Sequence, residues 1–292
     1  ILILPDLKNP KRSRQLMVLW STKETPSIRV NDHWWSPGAR MAIDPNAGHV
    51  LPGMVCAWWY DGDRMFEPAR MTECRIAAMD DMHPDWPKDG MGIGGGAVIP
   101  ILKEDLSFGM APDLSRMWLS FKTGSKSEPG LPKSFQAEMT PWWHRPSTAT
   151  YANNVYALGM GYDILRIHGM KASVKIDEEE VQGTAYFQKV TVQAPSVPWF
   201  WGFLHFDDGT YLDWFLPHVS MSMTKKDSKP WAKRDSFRWP KNARGVMHDR
   251  SRDTTERLEY GSVELLRPNE KDRLLDSDGH PLPRFLIKLH NE

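Results

Sequence analysis

Cysteine is nearly missing from this chain: Cys56 and Cys74 are the only two in 292 residues, too few for the disulfide framework of a small secreted domain. They read as buried thiols of a reducing compartment, so a cytoplasmic location is expected. Long hydrophobic runs are missing too, and nothing approaches the roughly 20 apolar residues of a membrane-spanning helix. The apolar stub at residues 1–5 is followed by Lys8, Lys11, Arg12 and Arg14, the wrong order and length for a signal peptide. A start at Ile1 rather than Met leaves a processed or trimmed N-terminus open. Charge of one sign is also lacking: 37 Lys and Arg balance 37 Asp and Glu, so nucleic acid is not an expected partner of the molecule as a whole.

Catalytic signatures are equally scarce. The chain has no His-Glu-x-x-His, paired Cys-x-x-Cys, Gly-x-Ser-x-Gly or Walker A sequence, which leaves metalloprotease, zinc-ribbon, α/β-hydrolase and P-loop readings without support. Gly90, Gly92 and Gly95 satisfy Gly-x-Gly-x-x-Gly, but they neither follow a strand nor open a helix, so they read as a glycine-rich loop. The acidic run at 177–180 lacks the ligand spacing of a metal site and reads as a hairpin turn between two strands. Neither a cofactor nor a metal is expected.

What the chain has is tryptophan and methionine, 14 and 16 residues, and glycine and proline at short intervals. Few segments sustain a 3.6-residue apolar period, which argues for a mainly β protein. Strands are expected at 15–20, 54–60, 64–66, 97–102, 117–122, 171–176, 184–192, 199–206, 211–216 and 284–289. In 171–176, Ala172, Val174 and Ile176 face inward and Lys171, Ser173 and Lys175 outward. The length suits two domains of about 150 residues each. The small, polar stretch 151–161 places their boundary near 160, giving domains at 1–160 and 161–292.

The densest aromatic stretch runs from 199 to 215. If Asp208-Gly209 forms a two-residue type I′ turn, Phe206 pairs with Tyr211 and His205 with Leu212. Trp199, Trp201, Phe203, His205, Leu212 and Trp214 then share one face, read either as the lining of an apolar pocket or as core around a satisfied histidine. Residues 57–66, with Trp58 and Tyr60 ahead of Asp61-Gly62, repeat the same plan and hint at related β units. Trp142-Trp143-His144, like Trp34-Trp35, reads as a core plug or a pocket rim. Between 224 and 244, Lys225, Lys226, Lys229, Lys233, Arg234, Arg238, Lys241 and Arg244 alternate with Trp231, Phe237 and Trp239. That pattern suits either a solvated linker or peripheral contact with an anionic membrane.

The order Gly183-Thr184-Ala185-Tyr186, a linker, Trp199-x-Trp201 and then Asp207-Asp208-Gly209 resembles the C-terminal half of a lipocalin-like family that includes AttH-like proteins and carotenoid 1,2-hydratase (hydroxyneurosporene synthase). The fungal decalin-forming Diels-Alderases look like more distant relatives. The match spans 162–216. It implies two consecutive lipocalin-like antiparallel β-barrel or sandwich domains with an apolar cavity, and a substrate of isoprenoid, polyene or polyketide type. This chain departs from the family where an acidic and basic cluster follows the Gly-x-Ala-Tyr motif: it has Gln188, Lys189, Val190 and Thr191, and Phe200 stands between the two tryptophans. Alkene hydration needs a strong acid, and neither Gln188 nor Phe200 is one.

A replacement acid would be Asp213, Asp61 or Asp207, raised in pKa by burial. Lys189 and His205 would polarise a carbonyl, and Tyr186 and Gln188 would donate hydrogen bonds. Trp199, Trp201, Phe203, Leu212, Trp214, Trp58, Tyr60 and Trp143 would line the substrate. The expected function is cyclisation, isomerisation or hydration of C=C bonds. The alternative is a carrier that binds an apolar lipid and performs no chemistry.

Overall fold

The computed structural model describes every residue except 10–11, 23–27, 31–32, 36–41, 45–47, 79–97, 101–105, 111–114, 125–127, 143–148, 156–160, 194–198, 221–235, 239–243, 267–283 and 291–292. The glycine-rich loop at 90–95, Trp143 and His144, and most of the basic segment 224–244 fall outside the described residues. Those that are described form strands and turns and no helix. In chain order the strands are β1 (Leu2–Pro5), β2 (Ser13–Thr22), β3 (Ile28–Val30), β4 (His33–Trp35), β5 (Ala42–Asp44), β6 (Gly48–Tyr60), β7 (Met65–Ala78), β8 (Val98–Pro100), β9 (Leu106–Met110) and β10 (Met117–Lys122). They continue with β11 (Ser134–Pro141), β12 (Ala149–Val155), β13 (Gly161–Ile176), β14 (Glu179–Gln193), β15 (Trp199–His205), β16 (Tyr211–Ser220), β17 (Ser236–Arg238), β18 (Arg244–Asp249), β19 (Thr254–Leu266) and β20 (Arg284–His290). Every strand expected from the sequence is present.

Two compact units share the chain: residues 1–144 with 170–186, and residues 145–169 with 187–292. The long strands β13 and β14 therefore each contribute one half to each unit. In the first unit the antiparallel path runs β8-β7-β6-β2-β1-β14-β13-β11-β10-β9. Trp59 on β6 and Phe135 on β11, with four strands between them along that path, bring their ring centroids to 5.2 Å, so the sheet curls around one shared core. Phe121, Leu2, Leu4, Leu16 and Met117 fill it, each burial contributing about 1.5–3 kcal/mol. The apolar opening of the chain is thus no stub: β1 lies between β2 and β14, with Leu2 and Leu4 inside.

Strict alternation of buried and exposed residues in β10 and β11 matches the period of two that a half-buried strand requires. Residues 171–176 obey it as expected, with Ala172, Val174 and Ile176 buried and the lysines outside. The hairpin that follows turns at Asp177, whose φ is 50°, a conformation that aspartate tolerates better than most residues. Its carboxylate accepts the backbone N–H groups of Lys133 and Ser134 at 3.0 and 2.8 Å, so the turn is tied to the neighbouring strand. Cys56 is a free, buried thiol, its pKa pushed up to about 11 by burial.

The second unit is built on the antiparallel order β15-β16-β18-β19-β20, with β17 beside β16; the first half of β13, paired with β12, belongs to it as well. Both units use one device where a glycine faces a tryptophan across a strand pair. Trp118 covers Gly109 in the first unit and Trp214 covers Gly202 in the second. The bare glycine exposes backbone, and the indole fills the missing side-chain space. A Cβ on Gly109 would sit 1.6 Å from Trp118 Cζ2. Gly109→Ala should therefore destabilise the first unit by about 1–3 kcal/mol in urea unfolding, and Trp118→Leu should remove most of that penalty; a neutral Gly109→Ala would contradict the packing.

Candidate functional site

The register of the β15–β16 hairpin decides which side chains meet. Gly209, at φ 85°, donates its N–H to Phe206 O at 2.9 Å, and Phe206 N–H donates to Thr210 O at 2.9 Å. Three residues, Asp207, Asp208 and Gly209, form the turn, with the left-handed glycine at the bulge position. The two-residue turn read from Asp208-Gly209 is therefore one residue too short. His205 pairs with Tyr211, Phe203 with Asp213 and Trp201 with Phe215. Because side chains alternate, that single-residue shift exchanges the faces of β16. Leu212 and Trp214 leave the Trp201–Phe203–His205 face, and Tyr211 and Asp213 join it.

Asp213 then becomes the centre of a polar cluster within the second unit. Trp201 Nε1–H donates to Asp213 Oδ1 at 3.1 Å, and His168 Nδ1 lies 3.0 Å from Asp213 Oδ2. His168 is 1% exposed and Asp213 3%, a burial that charged groups tolerate only when paired and hydrogen-bonded. His168 stacks on Tyr211 at 4.8 Å with 3° between planes, and Tyr211 stacks on His248 at 5.4 Å. The far end of this pile is held by Thr255, whose Oγ1 is 3.0 Å from His248 Nδ1. Burial raises the Tyr211 phenol above its usual pKa, with the nearby Asp213 charge adding to the effect.

The row Trp201, Phe203 and His205 is only partly covered. Its rings step along β15 with centroid spacings of 5.6 and 5.1 Å. His205 Nε2 approaches His168 O at 2.6 Å; a carbonyl only accepts, so the proton is on Nε2. Burial lowers the His205 pKa to about 4, its hydrogen bond to the His168 carbonyl opposing the fall. The ring is therefore uncharged at neutral pH, and its Nε2–H is directed to the backbone rather than to a substrate carbonyl.

The other expected site residues lie elsewhere. Lys189 and Gln188 are exposed on β14, and Gln188 accepts from Arg166 Nε at 3.2 Å. Tyr186 is buried in the first unit. Trp58 and Tyr60 also belong to the first unit, where the buried tryptophan is Trp59 and the Tyr60 hydroxyl donates to Gly62 O at 2.7 Å. Asp61 shapes its own turn by accepting the N–H groups of Asp63 and Arg64 at 2.8 and 2.7 Å, and Asp207 is an exposed turn residue. Trp199 is described by its backbone alone, opposite Pro217.

Sequence reasoning missed His168, Tyr211 and His248 as site residues. His168, together with Arg166, interrupts an apolar run in β13, Ile164-Leu165-Arg166-Ile167-His168-Gly169-Met170, and that interruption was the available signal. Among the described residues no group of His, Cys, Asp and Glu is arranged to hold a metal ion, and no helix is long and apolar enough to cross a membrane.

No protein-family model and no curated protein matches this chain. A solved structure from Nitrosomonas europaea, provisionally assigned as AttH, is similar to it with a TM-score of 0.45 and 13% identity, over 93% of this chain and 72% of that one.

A pH dependence follows from His205. Its folded-state pKa of about 4 lies below the ordinary 6.5, so between those values the unfolded chain takes up a proton that the folded chain refuses. The stability this group contributes is complete above pH 6.5 and is lost as pH falls toward 4, about 1–3 kcal/mol in all. Urea unfolding across that window should show a smaller loss for His205→Gln than for the parent protein; parallel curves would contradict the burial of His205.

Proposed function

We propose that the second unit binds an apolar, unsaturated small molecule of isoprenoid, polyene or polyketide type against the Trp201–Phe203–His205 row, and promotes cyclisation or isomerisation of its C=C bonds by orienting it. The observation that carries this reading is the state of Asp213. One oxygen accepts the Trp201 indole N–H, the other lies 3.0 Å from His168 Nδ1, and the side chain is buried. With both oxygens engaged and the side chain buried, neither oxygen is presented to a ligand. Hydration of an unactivated alkene, which begins by protonating carbon, therefore receives no support from Asp213. Orientation alone can supply about 7 kcal/mol or more, and ring faces favour developing positive charge in a folded polyene.

A non-catalytic carrier is the second reading, and the same partly covered rings favour it. The two differ in turnover and not in binding. All-trans-retinol, followed by tryptophan quenching, should bind the parent protein. Trp201→Ala should weaken it about tenfold or more through the lost ring contact. Lys189→Ala and Gln188→Ala should leave the affinity unchanged, since both residues are exposed on β14. Mass spectrometry of an organic extract of purified protein should recover an apolar ligand, and incubation should convert that ligand if the unit is an enzyme. An empty extract with no retinol binding contradicts the proposal, and loss of turnover in Asp213→Asn at unchanged affinity would restore a proton-donating role.

A further inference from the structure

We infer that the ligand of this row is electrically neutral, and that the site selects against carboxylates; the inference rests on the apolar-site reading above. The formal charge on the face shared by β15 and β16 is negative. Asp213 sits directly opposite Phe203 and bonds the indole of Trp201. Neither strand contains a lysine or arginine: β15 reads Trp-Phe-Trp-Gly-Phe-Leu-His and β16 Tyr-Leu-Asp-Trp-Phe-Leu-Pro-His-Val-Ser. The histidine within the row has its Nε2–H committed to the His168 carbonyl. A carboxylate laid along these rings would lose its water, gain no counter-charge from β15 or β16, and face Asp213 across a region of low dielectric.

By register, the arginines of the strands beyond β16 include Arg244, whose backbone pairs with Phe215, and Arg257, whose backbone pairs with Val246. They belong to β18 and β19, so an anionic head would have to cross β16 to reach either one. A neutral alcohol, ketone, ester or hydrocarbon meets none of these costs. The row thus separates molecules of one shape by their charge, with Asp213 adding to the desolvation cost that the rings alone impose on an anion.

Three probes with one polyene skeleton test this at neutral pH: all-trans-retinol, methyl retinoate and all-trans-retinoic acid. The inference expects retinol and the methyl ester to bind with similar affinity and the ionised acid about tenfold or more weakly, the usual scale for an uncompensated charge near a buried anion. Asp213→Asn should narrow that gap by raising acid binding relative to the two neutral probes. Phe203→Arg, which places a cation in the row, should close or reverse it, and either variant serves if the other fails to fold. Retinoic acid binding as tightly as retinol overturns the inference while leaving an apolar site in place. Failure of all three probes to bind overturns the site reading and this inference with it.

Discussion

A carboxylate inside a β unit is tolerated only when both oxygens are engaged, and Asp213 meets that condition through Trp201 on one side and His168 on the other. Removing either partner would weaken the hydrogen bonding of a buried polar group, at about 1–3 kcal/mol. The arrangement joins three strands: β13 through His168, β15 through Trp201 and β16 through Asp213 itself. The hydrogen bond from His205 to the His168 carbonyl adds a second link between β15 and β13. The aromatic row owes its orientation to this polar layer. The indole of Trp201 is turned by the hydrogen bond it donates, and the ring of His205 by the carbonyl it meets.

The ring pile of His168, Tyr211 and His248 extends the same layer to β18, with Thr255 on β19 at its end. Near-parallel stacking fixes the planes of the imidazoles, and hydrogen bonds fix their edges. A buried network of stacked rings and hydrogen bonds of this kind rigidifies the wall above it. A ligand meeting a rigid wall loses less free energy to ordering than one meeting a mobile wall, which is the physical basis of orientation without acid catalysis.

Much of the fold was legible in the sequence. Alternation at 171–176 and the aromatic strands at 199–206 and 211–216 marked elements that the structure contains. The missed strands have identifiable reasons. Residues 2–5 are few and apolar on both sides, so no periodicity marks β1 as a strand between two others. Residues 254–266 mix Thr, Arg and Glu with apolar residues, and at the described start of β19 Thr255 and Arg257 are exposed while Leu258 is buried. The sharing of β13 and β14 between the units was hidden because a continuous strand shows no break in its pattern. The candidate site was legible in composition and not in geometry. Trp201, Phe203, His205 and Asp213 were all singled out, but Asp-Gly at 208–209 suggested a two-residue turn, whereas Asp207 joins it to make three. A one-residue error in a turn inverts a strand, and so Trp214 was placed on the wall and Asp213 off it. No local pattern could have joined His168 to Asp213, which lies 45 positions along the chain.

The three-residue turn brings Asp213, and not Trp214, to the face of Trp201. The indole N–H resonances of the 14 tryptophans in 15N-labelled protein, assigned by single Trp→Phe replacements and compared with Asp213→Asn, test it most directly. The Trp201 N–H should exchange slowly with solvent, show an Overhauser contact to Asp213, and shift on Asp213→Asn by far more than the Trp214 N–H. A Trp214 resonance that responds in its place, with Trp201 unmoved, would mean the alternative register and would remove the buried carboxylate from the wall.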